Sequence, residues 1–225
     1  MTFTPEQKLL HKVVLHANDV PARGLFCGQM GIVLVLSEYA RLRKLHPLRT
    51  AINFLLDQIL SNLSTEMPLT FSHGLTGIGW GVEYLLQNKF QHGSGVEICE
   101  AIDQKLMQQN ILRQTDLTLE QGVEGWLNYI IAHCQGAIRE GKQAFDDAYL
   151  QDVGNICRRL LRQDIKVSLR SLCVAFLQMM EGQPVSYHFD LRPFISLGIK
   201  DNTFELGLHN GLAGLLFTNI NTEQT

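Results

Sequence analysis

Along most of the chain, apolar positions recur at intervals of three and four, the spacing of one helix face. Thr4-Pro5-Glu6-Gln7 reads as a helix start, with Thr4 as cap, Pro5 at the first helical position and Gln7 completing a capping box, and it predicts a helix to about His16. Ile52, Leu55, Leu56 and Ile59 fall on one face of a helix predicted over 50–62, and amphipathic helices are predicted over 96–111 and 145–161. A second kind of segment, over 28–43, 74–87, 122–134, 168–180 and 211–221, is apolar nearly all round, which predicts burial on every side. Pro47, Gly93-Ser94-Gly95, Gly136 with Gly141, and Gly182-Gln183-Pro184 punctuate these segments. The stretch 185–205 is the least regular, with a short helix predicted near 191–197, and strand patterns are almost absent. Ten helices in five hairpins follow, each pairing a polar-faced outer helix with an apolar inner one. The expected fold is all-α, an α/α toroid-like array of about five helical hairpins forming one domain over 1–225.

All five inner segments open with two small residues three apart: Gly28/Gly31, Gly74/Gly77, Gly122/Gly125, Ser168/Ser171 and Gly211/Gly214. The period is roughly 45 residues, room for two helices and their turns. Residues i and i+3 share a helix face, so each pair leaves a bare patch on the first turn. Glycine inside a helix costs roughly 1 kcal/mol against alanine, so its recurrence implies a steric reason. One reading is close packing at a crowded rim. The other is that the helix starts line a cavity, where free first-turn N–H groups receive a carboxylate, a thiolate or an oxyanion.

The residues before each pair then converge by register. Immediately before are Cys27, His73, Gln121, Val167 and Asn210, and one position further out are Phe26, Ser72, Glu120, Lys166 and His209. Cys27, His73 and His209 are the residue types of a Cys-His-His zinc site. The plainer reading makes Cys27 a buried small residue and the two histidines helix caps or solvent contacts. Gln121 and Asn210 are candidate binding residues on the same rim.

Composition narrows the choice of function. A net charge of −3 and scattered lysine and arginine do not favour nucleic acid; the small clusters over 41–44 and 158–162 read as solvated helix faces. Five cysteines, an odd number with no CxxC spacing, read as free thiols in a reducing compartment. The chain opens without a basic segment followed by an apolar stretch, and its apolar runs are too short to span a bilayer. No leader and no membrane span are expected, and the cytoplasm is the expected compartment.

The glycine motifs resemble those of the lanthionine synthetase C-like family. The resembling stretches are Gly24-Leu-Phe-Cys-Gly-Gln-Met-Gly31-Ile32, Phe71-Ser-His-Gly-Leu-Thr-Gly-Ile-Gly-Trp80, Asp116-Leu-Thr-Leu-Glu-Gln-Gly-Val-Glu-Gly125 and Gly207-Leu-His-Asn-Gly-Leu-Ala-Gly214. With the hairpins between them, they cover most of the chain. The resemblance implies an α/α toroid and, in family members, a zinc-held thiolate that adds a peptide cysteine to a dehydrated serine or threonine. It also implies zinc ligands in a Trp-Cys and a Cys-His-Gly motif, and neither occurs here: Trp80 and Trp126 are not followed by cysteine, and no Cys-His pair exists. Five hairpins stand where the family has seven. The family's acidic residue before the third glycine pair corresponds to Asp116 or, by position, to Glu120. His73 sits in a Ser-His-Gly that is similar to the family's Ala-His-Gly, here in the second repeat.

Two functions follow as expectations. The first is a shortened, non-catalytic relative without zinc or another cofactor, binding a peptide or partner protein in a peptide-modification or export system. The second is an enzyme with a relocated site, in which Cys27, His73 and His209 hold zinc or act as a Cys/His pair, with Glu120 or Asp116 as general acid-base. A sugar-hydrolysing variant would need two opposed carboxylates, and Glu120 with Glu124 lie in one repeat. An incomplete ring exposes two hairpin faces, which makes a homo-oligomer possible.

Overall fold

A computed structural model describes residues 3–185, 187, 190–195 and 205–222. Among these residues there are ten α-helices and no strand: α1 (Pro5–His16), α2 (Gln29–Leu42), α3 (Leu48–Ser61), α4 (Leu75–Gln87), α5 (Gly95–Ile98), α6 (Glu100–Met107), α7 (Val123–Glu140), α8 (Asp147–Leu160), α9 (Val167–Met180) and α10 (Leu212–Thr222). The all-α expectation holds. The chain forms two compact units. Unit 1 comprises Met1–Ser64 and Asp190–Thr225, and unit 2 comprises Thr65–Phe189.

In unit 1, α10 packs against both α1 and α2, and α2 packs against α3, so the first and last helices share a core. The start of α1 is as the sequence predicts: Oγ1 of Thr4 accepts the Gln7 N–H at 3.2 Å, and the Thr4 N–H donates to Oε1 of Gln7 at 2.9 Å. In unit 2, α4 and α7 form the central pair, α7 packs on α9, and α9 on α8. Gly79 lets α4 and α7 approach, since a β-carbon there would overlap the ring of Tyr129.

At four helix starts the preceding loop folds back over the first turn in the same way. The first helical N–H donates to the carbonyl seven positions earlier, Gln29 to Ala22, Leu75 to Pro68, Val123 to Asp116 and Leu212 to Glu205, each at 2.9 Å. A β-carbon on Gly74 or Gly122 would overlap the Pro68 or Asp116 carbonyl, and one on Gly125 the Leu119 carbonyl. These glycines are bare because a loop lies on them. The first of the N–H groups expected to be open to an anion is thus occupied at each of these starts by the chain's own carbonyl.

Three elements depart from the sequence expectation. First, α9 begins at Val167 with Lys166 at the cap, so Ser168 is inside the helix rather than in the place of Gly28, Gly74 and Gly122. It buries only Leu169, Cys173 and Phe176, and Val167 is 81% exposed, so it is not apolar-packed all round. Second, the helix expected over 96–111 breaks at Cys99 into α5 and α6, and Ile111–Arg113 forms a separate 3-10 turn. Third, α7 runs through Gly136 and stops only at Gly141, which takes a left-handed φ of 66°. The short helix expected over 191–197 is a 3-10 turn, Arg192–Phe194, and 196–197 lie outside the described residues.

Candidate functional site

The rim residues read from the sequence divide between the units. In unit 2, the N–H groups of Phe71 and Ser72 donate to the Glu120 carbonyl at 2.9 and 3.1 Å, and Oγ of Ser72 donates to it at 3.2 Å. Nδ1 of His73 lies 2.6 Å from Oγ of Ser72. The structure therefore brings His73 and Glu120 to neighbouring loops, joined through the backbone of Glu120; the side chains of His73, Glu120 and Gln121 are exposed. Asp116 turns its carboxylate onto its own loop. Oδ1 accepts the Thr118 N–H at 2.8 Å and the Thr118 hydroxyl at 2.6 Å, bonds that hold the carboxyl below its usual range.

In unit 1, the segment before α10 pairs with the segment before α2. The His209 N–H donates to the Phe26 carbonyl at 2.9 Å, and its ring stacks on Phe26 at 5.5 Å and 11°. Nδ1 of His209 is buried without a hydrogen-bond partner. Cys27 is half-buried; burial, and then the Glu205 carboxylate, push its thiol above the ordinary range. Asn210 adopts a left-handed φ of 55°. Cys27 and His209 thus share unit 1, while His73 belongs to unit 2. Among the described residues, no three His, Cys, Asp or Glu side chains are arranged to hold a metal ion.

A polar network in the core of unit 2 escaped the sequence reading. His133 on α7 is 0% exposed, Glu83 on α4 1%, and Asp103 on α6 3%. Nδ1 of His133 lies 2.7 Å from Oε1 of Glu83, and Nε2 lies 2.8 Å from Oδ2 of Asp103. The Tyr129 hydroxyl donates to Oδ1 of Asp103 at 2.5 Å, and Nε2 of Gln87 donates to Oε2 of Glu83 at 2.6 Å. Gln87 is oriented unambiguously: its amide nitrogen also reaches the Ala132 carbonyl at 2.8 Å, and its oxygen accepts from Arg139 at 2.7 Å. Gly95 and Gly136 make room for the Glu83 carboxylate, which a β-carbon at either position would overlap. This explains why Gly136 remains helical.

Every partner of the two carboxylates can donate, so the arrangement suits an imidazolium between two carboxylates. Burial opposes charge on His133, but its hydrogen bonds to Asp103 and Glu83 outweigh burial and raise it to about 9. Burial pushes Asp103 up, partly offset by the bonds from His133 and Tyr129. Sealed from solvent, the network ties α4, α6 and α7 together. An ionisable residue inside an apolar run, as in Ile130-Ile131-Ala132-His133-Cys134, was the available signal, because a buried charge requires partners.

The α4–α7 face also holds Val185 and Tyr187, both outside the helices. The indole N–H of Trp80 donates to the Tyr187 hydroxyl at 2.8 Å, and that hydroxyl donates to Oδ1 of Asn128 at 2.8 Å. Nε2 of Gln135 donates to the Val185 carbonyl at 3.3 Å. One face therefore grips a backbone carbonyl and an aromatic hydroxyl of a single passing segment.

No protein-family model, no curated protein and no solved structure matches this chain.

Proposed function

We propose that this protein is a non-catalytic, peptide-binding relative of the lanthionine synthetase C-like family, serving peptide modification or export by holding a peptide or partner protein. The observation that carries the reading is the α4–α7 face, where Trp80, Asn128 and Gln135 hold the segment through Val185 and Tyr187. Buried polar side chains on otherwise apolar helices need partners, and here a peptide segment supplies them. The glycine starts of α2, α4, α7 and α10, each under a docked loop, support the family reading through their shared geometry. The relocated thiol nucleophile gains no such support, because burial and then the Glu205 carboxylate push the Cys27 thiol above its ordinary range, against the thiolate form a nucleophile needs.

A Tyr187→Ala variant tests the reading by removing the hydroxyl that Trp80 and Asn128 hold. A fluorescein-labelled peptide with the sequence of residues 183–190 should bind the variant and be excluded from the parent. A folded variant that does not bind this peptide, or a parent that binds it equally well, would overturn it.

A further inference from the structure

We propose that unit 2 carries a second interaction surface, a cationic, leucine-lined groove that takes an acidic, leucine-containing segment of a partner protein. Two clefts of roughly 490 and 270 Å³ adjoin through Thr115 and Leu117, which line both. One wall is the chain from the 3-10 turn Ile111–Arg113 to Thr118. The other is the end of α8, its link to α9, and Leu169.

The charge of the groove runs against that of the molecule. The chain carries −3 overall, yet Arg113, Arg159 and Lys166 line the groove against a single carboxylate, Asp164. Asp116 lies in the same wall and keeps its charge, but its carboxylate turns onto Thr118 and lines neither cleft. Leu112, Leu117 and Ile165, all half-buried, supply apolar contact between the cations. A partner segment alternating carboxylates with leucines would satisfy both features. Nucleic acid fits less well, because the lining has no aromatic side chain on which a base could stack.

The groove is also braced before any partner arrives. Nη2 of Arg159 donates across it to the Leu112 carbonyl at 2.9 Å. Arg170 fastens the α8–α9 link, donating to the carbonyls of Leu161 at 3.3 Å and Gln163 at 2.9 Å. Walls fixed in advance reduce the ordering cost of binding.

The test uses the full chain and a short fluorescein-labelled peptide of alternating glutamate and leucine, read by fluorescence anisotropy. Matched glutamine–leucine and lysine–leucine peptides and a labelled oligonucleotide serve as the other arms. The glutamate peptide should bind about tenfold more tightly than the glutamine one, weaken with salt, and lose about tenfold in the exposed pair Arg113→Glu/Lys166→Glu. Circular dichroism of that pair should match the parent. The Tyr187→Ala variant should bind the glutamate peptide as the parent does, which separates this surface from the α4–α7 face. Equal affinity for the glutamine peptide, binding untouched by the double variant, preference for the oligonucleotide, or no binding by any probe would each overturn the proposal.

Discussion

His133→Leu removes the cation between two carboxylates that are 1% and 3% exposed. Leucine leaves Oε1 of Glu83 and Oδ2 of Asp103 without their donor. Breaking a buried ion pair from one side costs about 3–5 kcal/mol, a large part of the about 5–15 kcal/mol that holds a domain folded. The proton affinity of His133 gives a second figure. His133 is held at about 9 against an ordinary 6.5, which at about 1.4 kcal/mol per unit is about 3 kcal/mol. Because the shift is upward, the native protein keeps a proton that the unfolded chain releases above 6.5. The contribution is therefore complete below 6.5 and is lost as pH rises through 9. Asp103, also raised, acts in the same sense but from the acid range. Both tryptophans, Trp80 and Trp126, lie in unit 2, so intrinsic fluorescence reports its unfolding. Urea melts at several pH values from 6 to 9 should show the parent losing stability across this window and the variant weaker than the parent throughout. Adding Glu83→Gln and Asp103→Asn to the variant should recover part of the loss, since no buried charge then remains. A parent with no pH slope in this window, or a triple variant that keeps the parent's slope, would refute an imidazolium in the core.

Three further substitutions probe the packing around this network and the helix starts, each read by urea denaturation. Gly136→Ala places a β-carbon on the Glu83 carboxylate and should cost about 2 kcal/mol or more by pulling it from His133. Gly154→Ala, inside α8 with only the Arg158 guanidinium at 3.4 Å, should instead stabilise by up to about 1 kcal/mol. Thr4→Ala removes the cap of α1 and half of its capping box and should cost about 1 kcal/mol in unit 1, read by circular dichroism because that unit has no tryptophan.

What the sequence disclosed was what neighbouring residues decide among themselves. The start of α1 was legible because Thr4 and Gln7 satisfy each other within one turn. The end of α7 was not: Gly136 reads as a breaker, and it stays helical because the side chain it lacks would fall where the Glu83 carboxylate sits. Ser168 and Ser171 matched the small-residue spacing, yet α9 starts one residue before Ser168. Spacing records the size of side chains and not which loop lies over them.

The same limit governs the candidate site. The loops that carry His73 and Glu120 adjoin, and both precede helices that start under a folded-back loop. Register does not decide which atoms face each other. Glu120 meets the Ser72–His73 loop through its carbonyl, and Asp116 spends its carboxylate on Thr118. The ionisable cluster that does form joins His133 to partners 50 and 30 positions away, at positions of α4 and α6 that the rim pattern does not mark. A charge within an apolar run can be recognised locally, but its partners are chosen by how helices pack. The side chains gathered by register hold loops in place, and those gathered by packing hold the core.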